Sequence, residues 1–306
     1  MAKKPWRFMN AAGTARSRED VGKLALSKAL TEITVGSFTT EVRPGNGGRD
    51  HWFGPGNQDP GGINSLGMPN RGLGYVNSEI YACAEIAKRS GKTLRVSIAS
   101  NSPEGLAILA SAAYGAGAST IEANFGCPND IEGGKQQTIW SFDPKRVVRG
   151  ILAIRSGTEK FRLAVKLSPI SDPGLLKEVL AAIVQARDYV QEVVCSNTFP
   201  NGYLYDGKNK RDAIDPNDGL GGVSGMYMLP IAAGQVRQAR RQLPKSMDVI
   251  GVGGIRDAES LVTHLMAGAD GTQVGTENYR TRNPRIFSDI LQEFVSEYPK
   301  IAAKYA

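Results

Sequence analysis

Histidine and cysteine are scarce in this 306-residue sequence: two histidines, His51 and His264, and three cysteines, Cys83, Cys127 and Cys195. The cysteines stand far apart and none belongs to a C-x-x-C pair. An odd, scattered set argues against a disulfide framework, and so few ligands argue against a zinc site. A reducing, cytoplasmic setting is the expectation. No run of 18 apolar residues occurs, so no segment reads as membrane-spanning. The opening stretch, MAKKPWRFMNAAG, is positively charged but lacks an apolar run of signal-peptide length. Charge blocks are missing too. The net charge is +7, yet the basic residues are dispersed, with Arg240-Arg241 the densest late pair. A basic balance favours anionic partners in general, but without a block it marks no nucleic-acid surface. Neither nucleic acid nor a membrane is expected as a partner. A dinucleotide fingerprint, G-x-G-x-x-G, is also absent.

What is present is alternation. Short runs rich in Val and Ile lie at residues 7–11, 32–37, 94–100, 120–124, 162–166, 193–196, 249–252 and 271–274. Several are apolar throughout, as parallel strands buried on both faces are. Between them, residues 79–89, 103–114, 173–186, 229–242, 258–266 and 284–298 read as helices. Ser102 and Asp257 stand at N-cap positions, and Gly91, Gly117 and Gly268 follow helices. Eight strands with intervening helices in about 300 residues point to an α/β fold, a closed (β/α)8 TIM barrel, as one domain over residues 1–306. The competing layout is an open doubly wound sheet. Two segments rich in Gly, Pro and Asn, residues 42–62 and 199–222, read as long loops after the second and sixth strands. Both leave the C-terminal strand ends, where barrel active sites gather.

The chemistry-bearing residues concentrate at those ends. Gly253-Gly254 and Gly275-Thr276 each follow a late strand. They are either two tight turns or a site where bare backbone N–H groups meet a phosphate. Cys127 stands just past the strand that delivers Asn124, with Pro128-Asn129 behind it. It is either a small buried hydrophobe or a thiol whose ordinary pKa needs only modest lowering to accept a proton. Lys166 ends an apolar strand; it either snorkels to solvent or neutralises a developing anion. Four asparagines, Asn64, Asn124, Asn129 and Asn197, are turn residues taken singly. As a set they suit a small planar ring with alternating carbonyl and N–H groups.

FMNAAG, VGSFT with the later RPGN, INSLGMPNRG, NFGCPN, VKLSP, SNTFPNG, GGVSG, IGVGGI and QVGT occur in one order along nearly the whole chain. In that order the sequence resembles the dihydroorotate dehydrogenases. The resemblance implies an FMN-dependent oxidoreductase that oxidises dihydroorotate to orotate. The flavin phosphate would lie on Gly253, Gly254, Gly275 and Thr276, with Gly225 close by. Ala12, Gly13, Ser37, Asn101 and Ser196 would touch the cofactor, as would Asn64 and Asn124. The ring of the substrate would be held by Asn64, Asn124, Asn129, Asn197 and Thr198, and its carboxylate by the backbone of Leu66, Gly67 and Met68. Cys127 matches the base that takes the C5 proton while a hydride passes from C6 to the flavin, and Lys166 the lysine at the flavin N1–C2 edge. The cysteine and the loop EGGKQQTIWSFDP resemble the soluble homodimeric class; Asn101 matches the membrane-associated one.

One departure stands out. The soluble class carries a lysine on the second strand, where this sequence has Val35-Gly36-Ser37. Arg16, three residues after Ala11-Ala12-Gly13, has the spacing of a lysine in the membrane-associated class and is the candidate replacement. Another dihydropyrimidine or an activated alkene is therefore an alternative substrate. A transfer-RNA dihydrouridine synthase and a non-catalytic barrel binding a phosphorylated ligand are further alternatives. Fumarate, NAD through a partner subunit, or another oxidant all remain open as electron acceptor.

Overall fold

Side chains on a strand alternate between two faces, and in a closed sheet those faces become an inside and an outside. The computed structural model of the chain describes residues 6–54, 61–156 and 161–305. Within them eight parallel strands close into a barrel in chain order. They are β1 (Arg7–Asn10), β2 (Glu32–Phe38), β3 (Thr93–Ile98), β4 (Thr120–Asn124), β5 (Arg162–Leu167), β6 (Glu192–Cys195), β7 (Asp248–Val252) and β8 (Gly271–Val274). Closure excludes the open sheet. The helices that follow them in turn are α1 (Arg18–Ala25), α2 (Gly72–Arg89), α3 (Pro103–Gly115), α4 (Pro144–Arg155), α5 (Pro173–Gln185), α6 (Leu229–Gln242) and α7 (Ala258–Ala267), with α8 (Thr276–Thr281) and α9 (Arg285–Glu297) after β8.

All eight strands fall where the sequence placed them, within a residue or two. Ser102 and Asp257 cap α3 and α7 by accepting from Gly105 N and Ser260 N, and Gly268 ends α7 at φ +109°. Three helices, α1, α4 and α8, went unread. The signal for α4 was present: Asp143 caps it and Pro144 opens it. Helix α2 starts seven residues earlier than read, because Gly72 and Gly74 disguise its first turn.

The expected long loops are not structureless. His51–Phe53 and Gly61–Asn64 from the first, and Phe199–Tyr203 and Leu220–Gly225 around the second, form one four-stranded antiparallel sheet. Strand pairing across some 160 residues of sequence joins them (Asn64 beside Gly222, Gly61 beside Gly225). Each segment supplies one antiparallel pair, and the central pairing joins the two pairs, but the strands are short and rich in Gly, so neither segment reads as strand locally. Residues 55–60 of the first segment lie outside the described residues.

Outward-facing strand residues such as Phe8, Ile33, Val96, Ile121, Leu163 and Val249 pack against the helices in one large apolar cluster. Inside the barrel the apolar layer is small: Met9, Ala11, Ala164, Val194, Ile250 and Val252. Below it the interior is ionic. Arg95, fully buried, donates to Glu32 (3.0 Å), Glu122 (3.2 Å) and Glu192 (2.6 Å). Arg7 and Arg162 both pair with Glu192 and Asp248. Thr120 donates to Glu32 at 2.7 Å, and Gln273 to Glu122 at 2.7 Å. Such groups are tolerated inside only when paired.

Replacing Arg95 with methionine removes the cation that three buried carboxylates share. We expect a loss of about 3–5 kcal/mol of folding stability, read as the urea midpoint. An unchanged midpoint would contradict the structural role given to this arginine.

Candidate functional site

The C-terminal strand ends and the antiparallel sheet enclose a cavity of about 1120 Å³, counted out to its open mouth. Polar groups from several strand ends converge on it, as they do in small-molecule sites.

One end is bare backbone. After β7 the chain turns through Gly253 (φ +126°) and Gly254 (φ +80°), conformations that favour glycine. A Cβ on Gly253 would lie 2.9 Å from that of Ala232, and one on Gly254 2.6 Å from that of Leu229. The turn therefore sits flush on the start of α6. Gly275 and Thr276 follow β8, and Gly225 N donates to Thr276 Oγ1 at 3.0 Å, so these elements meet. His264, buried on α7, supports the turn: its Nε2 lies 2.9 Å from the carbonyl oxygen of Gly253. Burial pushes its pKa down to about 4, so the imidazole is neutral at pH 7 and Nε2 carries the donated hydrogen.

The middle of the cavity holds amides in pairs. Asn197 Nδ2 donates to Asn124 Oδ1 (2.9 Å), and Asn124 Nδ2 donates to Ser37 Oγ (3.0 Å). Asn129 Nδ2 donates to Asn64 Oδ1 (3.0 Å), and Asn64 Nδ2 to the carbonyl of Gly222 (3.2 Å). All four asparagines line the same space, with Thr198, Leu66, Gly67 and Met68. Asn46, which the sequence did not single out, ties two loops beneath them by donating to the carbonyls of Ser65 (3.0 Å) and Asn129 (3.2 Å).

Cys127 and Lys166 border this one cavity, as do Ala12, Gly13, Ser37 and Ser196. Lys166 does not snorkel. It is 4% exposed, and its amine stands 3.8 Å from Glu122 Oε1. Burial lowers its pKa, with Glu122 opposing. Cys127 moves against expectation. Burial pushes the thiol up to about 12, and nearby Asp130 adds to this; the backbone N–H of Asn129 and the cations Arg43 and Lys166 pull it back. The thiol is thus neutral at pH 7, rather than modestly lowered, because the strand end that positions it also desolvates it.

Asn101 is the site candidate that falls outside the cavity. It lies in the turn before α3, where its amide donates to Glu132 Oε1 at 2.8 Å. Arg16 does line the cavity, its guanidinium 5.8 Å from the ring centre of Tyr279. Its neighbours pair with Gly36: Gly13 N donates to Gly36 O (2.6 Å), and Gly36 N to Ala15 O (3.0 Å). Gly36 itself, at φ +107°, has no room for a side chain, because a Cβ would lie 2.5 Å from the carbonyl of Ser97. An aromatic group at the cavity's edge went unread. His51 and Phe53 pack on Tyr279 with ring centres 5.5 and 6.1 Å away. His51 and Phe53 lie two apart on one short strand, but Tyr279 comes from the helix after β8, so no local pattern announces the group.

Comparison with known proteins gives this arrangement a class. A crystal structure of DHODH from Eimeria tenella in complex with ferulenol matches with a TM-score of 0.78, covering 97% of this chain and 82% of that one at 16% identity, which shows the same fold. The "Dihydroorotate dehydrogenase (fumarate)" of Trypanosoma brucei brucei is 32% identical over 293 residues, 94% of this chain and 88% of its own. That of Trypanosoma cruzi is 30% identical over 292 residues with the same coverage. The chain is a barrel oxidoreductase. A family model described as "Dihydroorotate dehydrogenase" matches residues 4–297, and the chain belongs to that family.

The buried imidazole yields a pH prediction. A histidine held near 4 when folded, against 6.5 when unfolded, gives stability that is complete above pH 6.5 and lost as pH falls toward 4. That loss amounts to about 3 kcal/mol. Thermal melts should show the midpoint falling across this window, and His264→Gln should flatten the fall. Parallel curves for the two proteins would refute the assignment.

Proposed function

We propose that this chain oxidises dihydroorotate to orotate with FMN, using Cys127 as the base and Lys166 as the electrostatic partner of the flavin. The observation that carries this reading is the meeting of one thiol and one buried amine in a single cavity, with two asparagine pairs in the same space.

The residues present fit the cofactor. The glycine turns at Gly253-Gly254 and Gly275-Thr276, with Gly225 beside them, suit a phosphate group, which bare backbone can approach closely. Ala12, Gly13, Ser37 and Ser196 would hold the ring and its side chain, and Lys166 would meet its anionic edge. When bound, FMN supplies the two-electron hydride acceptor.

The chain's own groups do the rest. The amides of Asn64, Asn124, Asn129 and Asn197, with Thr198, would orient the planar substrate through its carbonyl and N–H groups. The backbone of the turn at Leu66, Gly67 and Met68 would take its carboxylate. Cys127 Sγ would accept the C5 proton, which a thiolate can do and a thiol cannot. Since burial holds the thiol up, the rate of the half-reaction with dihydroorotate rises with pH through the neutral range. The names of the relatives carry fumarate as oxidant, and we extend that acceptor to this chain. The same reading makes the protein a single-domain cytoplasmic homodimer. Among the described residues no helix is long and apolar enough to cross a membrane.

A second reading keeps FMN and changes the substrate to another dihydropyrimidine or activated alkene. Gly36, with no room for a lysine, and Arg16 at the cavity wall favour it.

The purified protein should be yellow, and anaerobic dihydroorotate should bleach its flavin. Bleaching by other dihydropyrimidines alone selects the second reading, and a colourless protein that refuses FMN removes both. Cys127→Ala should slow reduction by about 10²–10⁴-fold with FMN still bound and should flatten the pH dependence. Undiminished reduction in that variant dismisses the thiol as base.

A further inference from the structure

The mechanism asks Lys166 for a positive charge, yet it stands among groups that work against one. Burial lowers its pKa, and Arg95 one layer below repels it. Cys127 favours the ammonium form only when ionised, and it is neutral at pH 7. The remaining charged neighbour is Glu122. In the register of β4 with β5, Asn124 lies beside Lys166 and Glu122 beside Ala164. Glu122 and Lys166 therefore both face inward, one layer apart.

The two oxygens of Glu122 are used differently. Oε2 is fixed, accepting from Arg95 (3.2 Å) and from Gln273 Nε2 (2.7 Å). Oε1 is buried and accepts no hydrogen bond among the described residues; it faces the Lys166 amine at 3.8 Å. At that separation the pair is an ion pair without a hydrogen bond. The carboxylate thus favours the charge while leaving the amine's donors available to the cavity above. Arg95 is itself held by Glu32 and Glu192, so the position of Glu122 is set by the whole ionic interior.

We propose that Glu122 is the positioning residue for Lys166, holding its amine charged and directed into the cavity, with Gln273 and Arg95 fixing the carboxylate. The use made of that charge rests on the function proposed above; the ion pair does not. An anion arriving at the cavity floor draws on the same ammonium from the opposite side. The gap to Oε1 leaves the amine free to move toward it without first breaking a hydrogen bond.

The test reads Lys166 directly. In the full-length chain stripped of flavin and labelled at its lysines, the Lys166 side-chain resonance is assigned by its absence in Lys166→Met and titrated by NMR. Glu122→Gln should move the midpoint down by roughly one to three pH units, the range expected for loss of an opposite charge within ~4–6 Å. A purely structural carboxylate would leave it unmoved. Gln273→Leu provides a variant that keeps every charge in the barrel. It frees Glu122 from a donor and should move the midpoint up, so the proposal stays open to refutation even if Glu122→Gln does not fold. In the flavin-loaded protein, Glu122→Gln should lower kcat with little change in KM and lower the flavin midpoint potential. An unmoved Lys166 titration overturns the proposal whatever the flavin does. A moved titration in a protein that fails to take up FMN leaves the proposal standing and removes the functional reading instead.

Discussion

Arg95 is the side chain on which the interior of this barrel turns. It is fully buried, and its donors engage carboxylates from three other strands. All three carboxylates pass the pairing on: Glu32 to Arg7, Glu192 to Arg7 and Arg162, and Glu122 to Lys166. Four cations (Arg7, Arg95, Arg162, Lys166) thereby meet four anions (Glu32, Glu122, Glu192, Asp248) inside one closed sheet. A slip of one residue in any strand would send its charge outward into the apolar shell and leave its partner unpaired. The same alternation that satisfies the lower interior delivers Asn124 and Lys166 to the upper rim. Stability at one end of the barrel and geometry at the other are consequences of one register.

The rim adds what strands cannot supply. Strand ends place groups at fixed points but leave the mouth of the barrel open. The antiparallel sheet over the mouth contributes His51, Phe53, Asn64, Ser224 and Gly225 to the cavity wall. Its strands come from both long excursions of the chain, so the wall forms only when the two excursions meet. Asn46 ties the first excursion to the loop after β4 through Asn129, and Arg43 holds the segment after Cys127 through Asp130 and Glu132. Cys127 is thus carried on a loop braced from the side opposite the barrel.

Much of this was legible in the sequence because the barrel writes its function at strand ends. Apolar runs mark the strands, and the residue that closes each run is a rim residue by construction. That is why Asn124, Cys127, Lys166 and Gly253 could be picked out from linear spacing, whereas Ser196 came only with the family resemblance. What could not be read depends on pairing between distant segments. The sheet over the mouth has no local strand signature, and His51 meets Tyr279 only after folding. Asn101 matches the motif, but its side chain turns to Glu132 instead of bordering the cavity. The thiol's direction of shift was invisible for a different reason: proximity to Lys166 could be guessed, but the desolvation that outweighs it is a property of the assembled cavity. Arg95 and Glu122 went unread in the sequence, although they lie within the runs taken as strands; alternation along those strands turns both inward.

The absence of the second-strand lysine follows from backbone geometry. At position 36 the chain adopts φ +107° and pairs with the segment Gly13–Ala15, with the carbonyl of Ser97 close behind. A lysine there would require the strand end to be rebuilt. Pairing with Gly36 instead brings the first-strand excursion close to the cavity, and Arg16, the next residue, becomes part of its wall. The guanidinium is a planar, permanent cation, whereas lysine offers a compact one that can lose its proton. Lodged against Tyr279, Arg16 presents its charge flat to one side of the mouth. Arg16 therefore adds a positive charge to the cavity wall at a point away from position 36. Two cationic side chains thus border the same cavity from different elements, Lys166 at the end of β5 and Arg16 ahead of α1.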